Sequence, residues 1–65
     1  MKLNRTTQRT VDILKLVSRK PEGITLDEIC GKLKLPKTSA YDIVTTLAEM
    51  GMVHVDRGQR QRYTI

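Results

Sequence analysis

Tryptophan and phenylalanine are missing from this 65-residue chain, and two tyrosines are its only aromatic residues. Leu, Ile, Val and Met must therefore fill the core, and a chain this short buries only about 60% of its unfolded surface. One domain, residues 1–65, is all that this length supports; a partner subunit would add to its packing. The single cysteine excludes an internal disulfide and any cysteine-cluster zinc site. There is one histidine, and no Cys/His pair, metal-binding set or glycine-rich phosphate loop. The chain is therefore not expected to be an enzyme or to hold a cofactor. No apolar run approaches the ~20 residues of a membrane span. "MKLNR" leads into polar residues instead of the apolar stretch of a secretory signal. A soluble, cytoplasmic domain with no membrane partner is expected.

Basic charge is plentiful: 12 Lys and Arg against 7 Asp and Glu, a net charge of +5. That balance suits an anionic partner without identifying one. "TTQRTVDILKLVSRK" places Val11, Leu14 and Val17 on one helical stripe that Ile13 broadens. Thr6 or Thr7 is expected to cap it, and "PEG" at 21–23 to stop it. Ile24 reads as a very short strand. "TLDEICGKL" opens with a capping box, Thr25 accepting from the Glu28 amide while Glu28 reaches back to Thr25. Leu26, Ile29, Cys30 and Leu33 then follow the spacing of a buried helical face. "KLP" at 34–36 breaks that helix, and Pro36 suits the first turn of the next. This third helix, over 36–50, carries Ala40, Ile43, Val44, Leu47 and Met50 on one side and stops at Gly51. "MVHVD" and "QRYTI", joined by "RGQR", read as a β-hairpin over 52–65. The order describes a mainly α fold with a small hairpin wing: a winged helix-turn-helix of three helices and two to three short strands.

In such a fold the third helix docks an apolar face on the other two and presents a polar face to the major groove of DNA. At about 100° per residue, Thr38, Asp42, Thr45 and Glu49 cluster opposite the apolar stripe, with Tyr41 beside them. Lys37, Thr38 and Ser39 form the first turn, where free amides and the helix dipole attract a phosphate. Short hydroxyls bond either phosphates or base edges. A solvated surface helix has the same polar face, and only the neighbouring elements favour the binding reading. Tyr41 fits a phosphate contact and the edge of the core equally well. The wing carries Arg57, Arg60 and Arg62 and no acid after Arg57, so its tip suits the DNA backbone or a minor groove. The alternative is an ordinary solvated turn that keeps a sheet edge soluble. Arg62 is the weaker candidate, since strand alternation can turn it away. Arg5 and Arg9 are further candidates for phosphate contact. Cys30 on its apolar stripe reads as a core filler, and His54 as an ordinary strand residue.

"TVDILKLV", "PEGITLDEICGKLKLPKTSAYDIVTTLAEMGMV" and "YTI" resemble the N-terminal DNA-binding domain of the IclR family of bacterial transcriptional regulators. The resemblance covers nearly the whole chain from about Arg9. It implies that Lys37, Thr38, Ser39 and Tyr41 occupy the reading positions and that the wing touches the backbone. It also implies a homodimer on a pseudo-palindromic operator in the full-length regulator. Three departures stand out. The family usually has Gly where this chain has Lys34; a left-handed Lys there would cost about 1–2 kcal/mol. The family commonly has a basic residue where Asp42 stands. Its larger effector-binding domain is absent from these 65 residues, so no small-molecule effector site is expected in this chain. An excised domain and a small free-standing regulator both fit.

Sequence-specific binding of double-stranded DNA is therefore the expected function. The alternative is a winged-helix protein–protein interaction module, which would need an exposed apolar patch where this chain has a polar face and a basic wing. Asp42 has no Lys or Arg at helical spacing on its own helix. It is left to hold a cation from elsewhere in the domain or from a partner subunit, to accept from cytosine N4, or to repel incorrect sites.

Overall fold

The computed structural model describes residues 2–65 and contains α1 (Arg5–Ser18), α2 (Leu26–Leu33), α3 (Lys37–Glu49), β1 (His54–Arg57) and β2 (Gln61–Thr64). Three helices followed by an antiparallel hairpin make the mainly helical winged helix-turn-helix that the element order implies.

α1 starts two or three residues earlier than its threonines indicate. Asn4, not Thr6 or Thr7, caps it, its side chain accepting from the Thr7 amide at 2.9 Å. Asn outranks Thr as a cap, and both threonines are absorbed into the helix. The buried line of α1 also shifts. Ile13 and Val17, one helical turn apart, are fully enclosed, whereas Val11 is 43% exposed. At about 100° per residue Val11 lies on the side opposite Ile13, and Leu14 and Leu16 flank the buried line instead. The chain leaves α1 through Pro21 and turns at Gly23, whose φ of +99° lies in the left-handed region. A Cβ there would also come within 2.9 Å of Arg62 Cβ, so both conformation and crowding demand glycine.

Ile24 then makes the very short strand expected of it. It exchanges both backbone hydrogen bonds with Tyr63, at 3.0 and 2.8 Å, and so ties the wing to the helices. The Thr25–Glu28 capping box forms as its spacing implies: the Glu28 amide donates to Thr25 Oγ1 at 3.2 Å and the Thr25 amide to Glu28 Oε1 at 3.0 Å. The backbone hydrogen bond from Thr25 is the main cause that holds the Glu28 carboxyl below its ordinary pKa, helped by the Thr25 hydroxyl and by Lys20 and Arg62.

α3 is one residue shorter at each end than the sequence indicates, with Pro36 as its N-cap and Met50 as its C-cap. Ala40, Val44 and Leu47 are buried, but Met50, expected on that same face, is 70% exposed. Met50 is the C-cap, where the helix ends before the chain reverses at Gly51 (φ +77°). In the hairpin, Val55 pairs with Tyr63 and Arg57 with Gln61. Tyr63, 2% exposed, is the largest enclosed side chain and closes a core of Ile13, Val17, Ile24, Ile29, Ala40, Val44, Leu47 and Val53.

Candidate nucleic-acid interface

α2 and α3 are joined by a tight turn at Lys34, Leu35 and Pro36. Lys34 takes the left-handed conformation (φ 54°, ψ 49°), and the Leu35 amide closes back on the Cys30 carbonyl at 3.1 Å. This is the six-residue closure that ends many helices, with glycine the usual left-handed residue. Pro36 keeps Leu35 out of the helical region and frees the chain to start again in a new direction.

Where α1 and α2 have a side chain on their first amides, α3 has none. Its first turn carries Lys37, Thr38 and Ser39 and no acid, so the positive end of its dipole opens to solvent. Thr38, Ser39, Tyr41 and Asp42 together line a shallow concavity on the outward side. Tyr41 is 53% exposed; of the large apolar side chains exposed among the described residues, it is the one on this face. Leu3 precedes α1 and Val11 lies on it, while Met50, Met52 and Ile65 belong to the far end of α3 and the base of the wing.

Thr45 is half-buried, and its hydroxyl lies 2.8 Å from the Tyr41 carbonyl and 3.1 Å from that of Asp42. Thr46 donates to the Asp42 carbonyl at 2.7 Å. Thr45 can therefore offer a base its lone pairs and methyl group, since its proton is engaged within the helix. Asp42 is exposed, and among the described residues no Lys or Arg nitrogen lies within 4.0 Å of its carboxylate. No cation of the described residues holds it.

Lys37 forms an ion pair instead, its Nζ 3.3 Å from Asp27 Oδ1. Both side chains are well exposed, at 69% and 83%, and such pairs contribute at most about 1 kcal/mol. The sequence carried no sign of this contact, because residues ten apart on different helices have no fixed spacing. Lys37, Asp27, Tyr41 and Arg60 line a groove of about 280 Å³ between the helix starts and the wing. Arg57 and Arg60 are both exposed at the wing turn. Arg62 is half-buried along Gly23 and donates to its carbonyl at 3.4 Å, the inward placement that strand alternation allows. Gln61 donates to the Tyr63 hydroxyl at 3.0 Å, which satisfies the polar tip of that enclosed ring. Arg9 stands apart from this cluster, in a second concavity with Arg5 and Lys34.

Among the described residues there is no group of three or more His, Cys, Asp or Glu placed to hold a metal ion. No described helix is long and apolar enough to cross a membrane. The family model described as the IclR helix-turn-helix domain matches residues 6–57, most of the chain. Neither the curated proteins nor the solved structures include a match.

Proposed function

Because this chain belongs to the IclR helix-turn-helix family, and so is a DNA-binding domain of a transcription regulator, we propose that it reads double-stranded DNA with α3 in the major groove. The first-turn amides and Lys37 take a backbone phosphate. Thr38, Ser39, Tyr41, Asp42 and Thr45 face base edges or the adjoining backbone. Arg57 and Arg60 bring the wing onto the backbone or into a minor groove, and Arg9 takes a phosphate beside α1. The observation that carries this reading is the start of α3. It is the only helix start among the described residues without a side-chain cap, and it opens onto the groove where Lys37, Tyr41 and Arg60 converge. A helix N-terminus left open beside cations suits an anion.

Two copies of the domain in a homodimeric regulator would read a pseudo-palindrome, with half-sites one helical turn (about 34 Å) or a multiple of it apart. Asp42, with no cation against it among the described residues, then holds one from a partner subunit, accepts from a cytosine amine, or excludes sites that place a phosphate near it.

The test is binding to a random duplex library at two salt concentrations. An enriched motif is expected, with affinity falling steeply as salt rises. Replacing Arg57 and Arg60 with Ala should weaken binding to every sequence alike and reduce the slope of log K against log salt by about 0.9 per lost phosphate contact. No motif together with no salt dependence overturns the reading, and an unchanged slope in the double variant removes the wing from it.

A further inference from the structure

Lys34 is the one residue other than glycine with a positive φ among the described residues. Its Cβ is crowded by the neighbouring backbone in that conformation, and glycine would relieve the crowding. No core contact compensates for it, since the Lys34 side chain is exposed. A strained backbone of this kind directs attention to what its side chain does.

That side chain does not stand alone. Lys34 lines a concavity of about 280 Å³ with Arg5 and Arg9, which α1 brings against the turn from its first two helical turns. The walls also include Gln8, Asp12, Leu33 and Leu35. Three cationic residues and one acidic residue line the concavity. Asp12 lies more than 4.0 Å from the charged nitrogens of all three, so none of the cations is neutralised by an ion pair. A hollow lined by two arginines and a lysine suits a tetrahedral oxyanion: a guanidinium offers a planar fork of donors and a lysine a point charge. The hollow includes Lys34 and Leu35, residues of the turn that leads into α3.

We infer that Arg5, Arg9 and Lys34 form a second DNA-backbone site. It would hold one phosphodiester on the α1 side of α3, apart from the groove between α3 and the wing. The inference rests on the DNA-binding reading above and extends it with two residues, Arg5 and Lys34, that neither the reading helix nor the wing contains.

The decisive variant is Lys34→Gly. It should melt at the same temperature as the parent or a few degrees higher, because relief of the left-handed strain outweighs or balances the extra unfolded-state freedom of glycine. Its DNA affinity should nonetheless fall several-fold for all sequences, with the salt slope lower by about 0.9. A residue that only terminates α2 would show the gain in stability and no change in slope, and that result overturns the inference. Lys34→Asn, which also tolerates the left-handed region, should reproduce the loss of slope and shows that a loosened turn is not its cause. Arg5→Ala should lower the slope as well.

The parent and the Arg57/Arg60 double variant serve as controls. If their slopes differ while those of Lys34→Gly and Arg5→Ala match the parent, this site alone is refuted. If the parent shows no salt-dependent DNA binding, the reading beneath it fails too. Inorganic phosphate, titrated into the DNA-free chain at constant ionic strength while the Arg9 and Lys34 amide resonances are followed, should shift them only weakly. Saturation by phosphate, with DNA slopes unaffected by Lys34→Gly, would reassign the hollow to a free anion.

Discussion

α2 begins with Thr25 and Glu28 bonded to each other's backbone, whereas α3 begins at Pro36 with nothing on its first amides. The two helices are packed neighbours of one motif, so their starts differ for a local reason: the residue types at the cap and three positions beyond it. Thr and Glu close the positive end of α2 from within, and Asp27 adds a second acid to that turn. Pro at the cap supplies a helix-compatible φ but no acceptor, and Lys37, Thr38 and Ser39 add none that reaches back. The closed end contributes stability. The open end leaves its donors for a ligand and contributes less to the fold.

Closing the open end is the strongest challenge to this contrast. Pro36→Asp would place a carboxylate over the first amides of α3, raising stability by about 1 kcal/mol and lowering DNA affinity at least tenfold, or about 1.4 kcal/mol. Calorimetry and binding titrations read both, and a stability gain with unchanged affinity would move the start of α3 away from the DNA. Opening the closed end is the converse. Thr25→Ala should destabilise the domain by about 1 kcal/mol, a fall of about 4–8 °C in melting temperature. Binding measured well below the transition should stay constant. A parallel loss of affinity there would make the α2 start part of the interface. Asp27→Asn, which releases Lys37 from its ion pair, should tighten binding to all sequences roughly two- to fivefold, the range of an exposed pair. Unchanged affinity would show that the pair does not compete with phosphate.

The smallest effect is one of pH. Glu28 titrates below its ordinary value of 4.5 in the folded chain because it accepts from Thr25. Its stabilising contribution is complete above that ordinary value and is lost as pH falls through the lowered one. Melting temperature should therefore decline more steeply on acidification in the parent than in Glu28→Gln. Equal slopes would mean that the box does not favour the ionised form.

Much of the fold is legible in the chain because its determinants are local. The capping box, the break at "KLP", the stop at Gly51 and the hairpin around "RGQR" each depend on residues within a few positions of one another. Lys34 is an instructive case: its place between a helix end and a proline marks a turn, but its left-handed φ shows only in the folded chain. The misplacements have equally specific causes. Val11 satisfies helical spacing with Leu14 and Val17, yet the docking of α1 centres burial on Ile13, 200° away by the same periodicity. Met50 fits the apolar stripe of α3 but falls on the residue where the helix ends. Tyr63 gives no sign in an alternating strand that it will be the largest side chain in the core.

For the candidate site, composition and periodicity alone determine which residues leave the apolar face of α3 and that the wing turn is basic. Helical and strand repeats are properties of the backbone and hold wherever the segment docks. Only the tertiary structure decides which side chains come together: Lys37 paired with Asp27, Arg60 and Tyr41 on one groove, and Arg5 and Arg9 on one hollow with Lys34. It likewise leaves Asp42 without a cation among the described residues. Those pairings join separate elements, and no periodicity relates residues whose distance is set by how the helices and the wing pack around Ile13, Val44 and Tyr63.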